Sequence, residues 1–407
     1  MRQRIVVIGA GYAGVRMMER LRHHKKAEII VLDQNPYHYL QTDVYGYVAN
    51  KTGFNDITID LYTLMASHPE NVQFMQKKAT RIRFDDKVVE TEDNLEVHYD
   101  YLVLATGTRT FLPDQVEGLL EHWRHGIKSI PHALKFKQAF EQNMFKMIES
   151  EGTCSVNSAF NIVVGGGGLS GVEIAAEMAY YAKRMYNHFG YLCEGVQVIL
   201  INSGDQILKG TDPYLIEVST NRLKELGVEI IYNRRIAKVT PSEVFLDDGT
   251  QIPMHFLIWT GGIFASPLIR DLALKKNAHH QLEVDPFYRV PGVTDVFAIG
   301  DTCQLIDPVT GERRPPTAQM AELSGAYVAR NLGRILDGQA MQIEKLDMQG
   351  MFVALGGAYG AGVAKGMKFK GLLAHLFKMA IVNFYKWPLQ QRCRIGYRRI
   401  KRQEKEG

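Results

Sequence analysis

Two glycine-rich turns of the same design carry the clearest chemistry in this chain. The sequence GAGYAG at residues 9–14 and the sequence GGGLSG at residues 166–171 each follow a short apolar run rich in β-branched residues. A glycine-rich turn between a buried strand and a helix brings backbone N–H groups and a helix N-terminus up to a pyrophosphate. Because the pattern occurs twice, 157 residues apart, the sequence predicts two dinucleotide sites in one chain.

Each glycine of the first turn has its own expected part in that chemistry. Gly9 permits the tight turn, Gly11 leaves room for the pyrophosphate, and Gly14 lets the following helix pack on the strand. The next apolar run ends at Asp33, 19 residues after Gly14, where a carboxylate can accept hydrogen bonds from a ribose. The first turn is therefore predicted to hold the adenosine half of a dinucleotide.

The second turn has the same three glycines but lacks the acid. Gly166, Gly168 and Gly171 match the pattern, and Glu173 follows in the first turn of the predicted helix. The next strand ends at Asn202 where an acid is expected, which weakens the ribose contact. No arginine stands close after it to hold a 2′-phosphate. We therefore expect NADH to be preferred over NADPH.

Composition and length fit a folded intracellular protein. The chain has 407 residues, 46% of them hydrophobic and 23% charged, which is ordinary for two or three globular domains. No stretch of about 18 apolar residues occurs, so no membrane-spanning helix is expected. The four cysteines, at positions 154, 193, 303 and 393, form no C-x-x-C pair, which suits a reducing compartment. No metal site is predicted, because the histidine pairs are adjacent in sequence and cannot share a helix face.

Strand and helix signals alternate along the chain as in a doubly wound α/β fold. We predict two Rossmann-like nucleotide-binding domains. The first is discontinuous, at residues 1–155 and 279–340, and the second occupies residues 156–278. Residues 341–407 are predicted to form a C-terminal segment that contains a basic amphipathic helix.

The C-terminal segment has a strong charge imbalance. Residues 365–407 hold 12 lysines and arginines against two glutamates, a charge of +10, which leaves −6 for the rest of the chain. Between residues 372 and 384, apolar side chains recur at helical spacing, and Trp387 follows. Such a helix is typical of an anionic membrane interface, so we predict peripheral attachment to a membrane. A helix that packs between domains is the alternative, and a nucleic-acid partner is not expected.

Four further motifs, in a fixed order, make a family resemblance specific. They are ATG at 105–107, WTGG at 259–262, VFAIGD at 296–301 and PPTAQMA at 315–321. With the two glycine-rich turns and the basic C-terminus, they resemble the type II NADH:quinone oxidoreductases, a branch of the two-dinucleotide-domain flavoproteins. The resemblance covers nearly the whole chain. It implies an enzyme that passes two electrons from NADH through FAD to a membrane quinone, without a redox disulfide and without pumping protons.

The resemblance also implies roles for individual residues. The first turn and Asp33 would bind the ADP half of FAD, and Asp301 would accept hydrogen bonds from the ribityl hydroxyls. The second turn and Glu173 would face NADH. Further positions implied to line the cofactors are Thr106, Gly107, Gly262 and Ala318.

The helix that begins at Ala318 resembles the first half of the family's quinone motif, where Gln319 is implied to hydrogen-bond a quinone carbonyl. The second half differs, because Leu323 and Ser324 stand where the family often has Gln and Glu. Lys378, near the expected quinone entrance, is implied as a second catalytic residue. The implied location is the cytoplasmic side of the cell membrane, and whether the chain forms a homodimer is left open.

Two other classes of flavoprotein share this architecture. A sulfide:quinone oxidoreductase needs reactive cysteines near the flavin, and no cysteine lies between Cys303 and Cys393. An apoptosis-factor-like flavoprotein would bind NADH but turn over slowly. The sequence leaves both alternatives open, together with the quinone species and the strictness of the NADH preference.

Overall fold

The computed structural model describes residues 2–68, 70–122, 126–149, 160–188 and 196–406. Within these ranges the α-helices are α1 (Tyr12–Leu21), α2 (Val44–Val48), α3 (Leu61–Ala66), α4 (Leu119–His122), α5 (Ile130–Glu149), α6 (Leu169–His188), α7 (Pro213–Glu225), α8 (Pro267–Arg270), α9 (Ala318–Leu336) and α10 (Gly371–Glu406). The strands are β1 (Gln3–Ile8), β2 (Ala27–Asp33), β3 (Tyr37–Tyr39), β4 (Thr58–Asp60), β5 (Val72–Gln76), β6 (Ala79–Arg83), β7 (Val88–Thr91), β8 (Glu96–His98), β9 (Tyr101–Leu104), β10 (Thr108–Thr110), β11 (Phe160–Gly165), β12 (Val196–Asn202), β13 (Glu229–Tyr232), β14 (Ile236–Val239), β15 (Glu243–Leu246), β16 (Gln251–Pro253), β17 (Phe256–Trp259), β18 (Ile263–Ala265), β19 (Val296–Ala298), β20 (Met351–Ala354), β21 (Gly360–Ala364) and β22 (Met367–Lys370). Short 3₁₀ turns occur at Gln41–Asp43, Phe54–Asp56 and Gly300–Thr302.

The first large sheet has five parallel strands in the order β19-β9-β1-β2-β5. The side chains of β1 from Ile5 to Ile8 are buried, as expected for a parallel sheet that helices cover on both faces. Helix α9 packs closely on α1, because a Cβ atom on Gly325 would lie only 2.3 Å from the carbonyl oxygen of Ala13. Helix α9 is therefore in direct contact with the helix that follows the first glycine-rich turn.

The second large sheet has four parallel strands in the order β13-β12-β11-β17. Helix α6 follows β11 directly across the second glycine-rich turn. The predicted fold class, with two Rossmann-like α/β units, is confirmed.

Smaller antiparallel sheets complete the architecture. Strands β6, β7 and β8 form one, β14, β15 and β16 a second, and β20, β21 and β22 a third. Strand β10 pairs with β18, and Thr108 lies opposite Ala265. Because β10 follows the ATG motif and β18 follows the WTGG motif, this pair ties together the two segments that leave the large sheets.

Helix α10 is much longer than the sequence predicted. The expected helix covered residues 372–384, whereas α10 runs from Gly371 to Glu406. The second half is helical because it packs on the protein: a Cβ atom on Gly396 would lie 1.7 Å from the carbonyl oxygen of Thr63 in α3. Only glycine lets the two helices approach this closely.

Two arginines secure the second half of α10. Arg392 forms an ion pair with the buried carboxylate of Glu19 in α1. The guanidinium of Arg399 donates to the carbonyl oxygen of Ser67 at 2.9 Å. The C-terminal half of the helix is therefore part of the first nucleotide domain's surface.

The first half of α10 instead presents apolar side chains to the outside. Those that are exposed are Leu372, Leu373, Leu376, Phe377, Met379, Ile381, Phe384 and Trp387. Phe384 is the most exposed of them, at 84%. In the part of the chain that the structure describes, no helix combines the length and apolarity needed to cross a bilayer.

Candidate active site

The first glycine-rich turn uses its glycines in three different ways. Gly9 has a φ of +105°, and a Cβ atom there would lie 2.3 Å from the carbonyl oxygen of Ala105. A Cβ atom on Gly14 would lie 2.0 Å from the carbonyl oxygen of Gly9. At Gly11, by contrast, no atom of the described residues lies within 4 Å of the Cβ position. The outer glycines are needed for backbone packing, whereas Gly11 faces open space.

The second turn repeats this arrangement. Gly166 has a φ of +117°, and a Cβ atom there would lie 2.8 Å from Oγ1 of Thr260. A Cβ atom on Gly171 would lie 1.8 Å from the carbonyl oxygen of Gly166, while no described atom lies within 4 Å of the Cβ position of Gly168. The central glycine of both turns thus borders a space that a pyrophosphate could fill.

Asp33 lies at the end of β2, next to the first turn. Its carboxylate accepts hydrogen bonds from the backbone N–H of Ala10 at 2.7 Å and from that of Asn35 at 2.8 Å. Burial raises the pKa of Asp33, and these hydrogen bonds oppose the rise. The carboxylate therefore orders the glycine-rich turn itself, in addition to the ribose contact that the sequence predicts.

Asn202 occupies the corresponding place beside the second turn. Its amide nitrogen donates to the carbonyl oxygens of Gly204 at 3.1 Å and Gln206 at 2.9 Å. The Asn202 side chain also lies against Gly167, where a Cβ atom would be 2.6 Å from Oδ1. An amide suits this position because it donates to two loop carbonyls, which a carboxylate cannot do.

Asp301 lies in the 3₁₀ turn that follows β19, close to the segment after the ATG motif. Its carboxylate accepts a hydrogen bond from Oγ1 of Thr108 at 3.3 Å, and Nζ of Lys128 lies 3.2 Å from the same hydroxyl. Burial raises the pKa of Asp301, while the positive charge of Lys128 opposes the rise. Lys128 was not singled out from the sequence, because nothing around it forms a motif.

The remaining positions of the ATG and WTGG motifs join the same region. Oγ of Ser266 donates to Oγ1 of Thr106 at 2.9 Å, and the N–H of Gly107 donates to Oγ1 of Thr302 at 2.9 Å. Gly262 has a φ of +140°, which favours glycine at that point of the turn. These contacts bring the segments after β9, β17 and β19 together.

The start of α9 faces this region. Thr317 caps the helix, because its Oγ1 accepts from the N–H of Met320 at 3.2 Å, and Ala318 is the first helical residue. With the Gln319 amide oriented so that both its ends find a partner, its nitrogen lies 3.2 Å from the oxygen of Gly350 and its oxygen 3.1 Å from the N–H of Gln349, in the loop before β20. Gln319 therefore has partners within the chain, besides the quinone contact expected of it.

The departures from the quinone motif have structural roles. Ser324 is fully buried, and its Oγ accepts a hydrogen bond from the N–H of Gly300 at 3.0 Å. Leu323 packs against the core of the first domain. Ser324 thus supports the turn that carries Asp301.

Glu173 and Lys378 form a buried ion pair. Nζ of Lys378 donates to Oε1 of Glu173, and the same oxygen accepts from the N–H of Ala354 at 2.8 Å. The two side chains are only 8% and 17% exposed. The sequence suggested each residue separately, Glu173 toward NADH and Lys378 toward the quinone, but it did not predict that they meet.

Three charged residues near this pair were missed from the sequence. Nζ of Lys386 lies 3.7 Å from Oδ2 of Asp43 and 3.6 Å from Oδ1 of Asp56. The positive charge of Lys378 also acts on Asp43. A lysine inside an otherwise apolar helical segment is the signal that could have indicated a buried acidic partner.

Comparison with known proteins gives the family. The sequence from residue 3 to residue 325 matches the model of the pyridine nucleotide-disulphide oxidoreductases. The chain belongs to this family. It is 26% identical over 390 residues to the type II NADH:quinone oxidoreductase of Staphylococcus saprophyticus, and the match covers 93% of this chain and 94% of that protein.

Two solved structures are similar in fold to this pyridine nucleotide-disulphide oxidoreductase. NDH2 from Plasmodium falciparum in complex with NADH gives a TM-score of 0.85 at 16% identity, with 98% of both chains covered. The sulfide:quinone oxidoreductase of Aquifex aeolicus gives a TM-score of 0.77 at 19% identity, with 96% of this chain and 92% of that chain covered.

The cysteines of this family member were expected to be free thiols. Cys303 is fully buried, and its Sγ bonds to the carbonyl oxygen of Ala298 at 3.2 Å. Burial raises the pKa of the Cys303 thiol, which disfavours the reactive thiolate. Cys303 and Cys393 are both free, while Cys154 and Cys193 lie outside the described residues. Across the described ranges, no group of three His, Cys, Asp or Glu side chains could hold a metal ion.

Proposed function

We propose that this protein passes two electrons from NADH through FAD to a quinone in a membrane. The observation that carries the proposal is the open space at Gly11 and at Gly168, each at the end of a buried parallel strand. Two such turns have room for two pyrophosphates, one for each dinucleotide. Relatives that match over nearly the whole chain are named type II NADH:quinone oxidoreductases, which supports this choice of donor and acceptor.

FAD occupies the first domain in this proposal. Gly11 admits its pyrophosphate, Asp33 accepts from its ribose, and Asp301 accepts from its ribityl hydroxyls. The flavin reaches the start of α9 near Ala318, where the positive end of the helix dipole stabilises negative charge. When bound, FAD supplies the redox chemistry, because it accepts hydride from NADH and gives up electrons to a quinone.

NADH occupies the second domain. Gly168 admits its pyrophosphate, and Gly262 borders the path toward the flavin. Glu173 lies in the first turn of α6, as expected for a residue near the nicotinamide, but its carboxylate also holds Lys378. Asn202 orders the loop beside the ribose and provides no negative charge against a 2′-phosphate.

The quinone enters beside α10. Lys378 is placed on the same helix as the exposed apolar side chains, and Gln319 bonds to the segment that leads into β20. Strand β20 ends at Ala354, and the N–H of Ala354 donates to Glu173, the ion-pair partner of Lys378. In this proposal the Gln319 amide and the Lys378 ammonium donate hydrogen bonds to quinone oxygens.

The exposed apolar face of α10 rests in the membrane interface in this proposal. It lies in a segment with a charge of +10, which favours an anionic surface. The proposed location is the cytoplasmic side of the cell membrane, where NADH is available.

An absorption spectrum and one assay test the proposed function. The purified protein is expected to show flavin bands that bleach when NADH is added without oxygen and return when a soluble quinone follows. In steady state, NADH is expected to support quinone reduction and sulfide is not. A colourless protein, or flavin bands that sulfide bleaches and NADH does not, contradicts the proposal.

A further inference from the structure

Five charged side chains of alternating sign form a line of successive charge interactions between the solvent and the candidate active site. They are, in order, Asp56, Lys386, Asp43, Lys378 and Glu173. The Asp56 side chain is 47% exposed, whereas that of Glu173 is 8% exposed. The line therefore starts in solvent and ends at the helix that follows the second glycine-rich turn.

Asp43, in the middle of the line, is incompletely paired. Its Oδ2 atom is buried and has no hydrogen-bond partner among the described residues, because Lys386 is too distant at 3.7 Å for a hydrogen bond. Burial raises the pKa of Asp43 to about 6, although Lys386 and Lys378 lower it and Asp56 raises it further. The charge of this carboxylate also acts on the phenol of Tyr12, whose hydroxyl bonds to Oγ1 of Thr42 at 2.8 Å. A carboxyl group with such a pKa gains and loses a proton near neutral pH.

The charges along the line also favour an exchangeable proton. Three carboxylates face two ammonium groups, so the fully ionised line carries an excess negative charge. One bound proton neutralises this excess, and Asp43 has the free oxygen atom to hold it. Asp43 and Asp56 lie on either side of the Lys386 ammonium group, with oxygen atoms 3.7 Å and 3.6 Å from its Nζ.

Quinone reduction requires a proton from solvent. NADH gives up two electrons and one proton as hydride, and a quinone takes up two electrons and two protons to become a quinol. One proton for each turnover must therefore reach the quinone from water.

We propose that Asp43 is the proton-relay residue of the quinone half-reaction, fed from solvent past Asp56 and emptied toward Lys378. The O–H bond of the Asp43 carboxyl breaks, and its proton passes through water to Nζ of Lys378. Lys378 at the same time gives one of its own N–H protons to a quinone oxygen, so its charge is unchanged. Asp43 then takes a new proton from water. This inference rests on the proposed function, and it adds the route of the second proton.

The two half-reactions separate this role from a structural one. We would mix the anaerobic protein with NADH and follow flavin bleaching, then mix the reduced protein with a soluble quinone and follow the return of the flavin bands. Asp43→Asn keeps the size of the side chain but cannot carry a proton. At pH 6, this variant is expected to slow the quinone half-reaction by about tenfold or more and to leave the NADH half-reaction and the flavin content unchanged.

Three further measurements complete the test. Asp43→Glu keeps a titratable group and is expected to restore most of the rate, and added acetate is expected to rescue Asp43→Asn. Asp93→Asn removes an aspartate that pairs with Lys77 and is not part of the line; it is the matched control, for which no change is expected. In the unmodified protein, the quinone half-reaction is expected to slow as the pH rises from 5 to 8, and Asp43→Asn is expected to lose this dependence.

Several outcomes would overturn the relay. They are an unchanged quinone half-reaction in Asp43→Asn, equal slowing of both half-reactions, loss of flavin, or failure of acetate and of Asp43→Glu to restore the rate. If the variant does not fold, a pH-independent quinone half-reaction in the unmodified protein still overturns it. An unmodified protein that NADH cannot reduce, or that a quinone cannot reoxidise, shows instead that the proposed function itself is wrong.

Discussion

The hydroxyl of Tyr385 in α10 shares a hydrogen bond of 2.9 Å with Nε2 of the fully buried His38 in β3. The ring of Tyr12, the residue after Gly11, lies against both side chains, with ring centroids 5.0 Å from His38 and 5.1 Å from Tyr385. The C-terminal helix therefore contacts the first glycine-rich turn through aromatic rings, 347 residues away along the chain from His38.

His38 makes stability fall in acid. Burial lowers the pKa of His38 to about 3, so between pH 6.5 and 3 the unfolded chain binds a proton that the folded chain does not. The free energy of unfolding is therefore lower by about 3 kcal/mol at pH 4. We expect urea midpoints of the unmodified protein to fall more steeply from pH 7 to pH 4.5 than those of His38→Gln, which keeps a hydrogen-bonding side chain. His98→Gln, at an exposed position, is the control, and equal slopes for the unmodified protein and His38→Gln would contradict the assignment.

Matched substitutions in the two turns should remove one cofactor each. Gly11→Val fills the open space in the first turn, so the protein is expected to be purified folded but colourless. Gly168→Val fills the same space in the second turn, so the protein is expected to keep its flavin but to bind NADH at least 100-fold more weakly. The visible spectrum measures the flavin content of each variant, and an NADH titration measures its affinity for NADH. A yellow Gly11→Val protein would show that FAD lies elsewhere.

Position 202 should tune the choice of nicotinamide cofactor. The unmodified protein is expected to prefer NADH, and Asn202→Glu is expected to widen the preference, because an acid repels a 2′-phosphate. The same change removes two hydrogen bonds to Gly204 and Gln206, so the melting temperature should fall by a few degrees. The preference is measured as the ratio of kcat/KM with NADH to kcat/KM with NADPH. A higher kcat/KM with NADPH in the unmodified protein would refute the expected preference.

The apolar face of α10 should bind lipid. Phe384→Asp replaces the most exposed apolar side chain of the helix with a charge and is expected to weaken binding to vesicles with anionic headgroups by about tenfold or more, since burying an aromatic side chain contributes about 1.5–3 kcal/mol. Val309→Asp, at an exposed apolar position outside α10, is the control and should bind normally. High salt is expected to weaken binding only partly, because it screens charges and leaves apolar burial. Equal vesicle binding by Phe384→Asp and the unmodified protein would assign this face to a protein contact.

The two glycine-rich turns could be predicted from sequence because each is local. Within six residues, the positions that need a positive φ or a close backbone approach can be filled only by glycine, and the flanking strand and helix have their own patterns. The fold class follows from the same alternation of patterns. The position of strand β19 is not local in this sense. It joins the edge of the first sheet next to β9, and that arrangement depends on the path of the chain between the two strands.

The ion pairs of the site could not be predicted in this way. Glu173 and Lys378 are 205 residues apart, and no periodicity links them. Asp43 and Lys386 are likewise far apart in the sequence and meet because α10 packs beside the 3₁₀ turn that carries Asp43. Long-range packing, and not local pattern, decides which charged groups become partners.

Pro388 lies inside α10, between the half that presents apolar side chains and the half that packs on α1 and α3. Proline has no N–H group, so the carbonyl oxygen of Phe384, four residues earlier, accepts no hydrogen bond from position 388. The helix is therefore least stiff beside its most exposed side chain. Ion pairs of Lys378 with Glu173 and of Arg392 with Glu19 hold the helix on both sides of this point, so any bending of its backbone is confined to the short segment that carries Phe384.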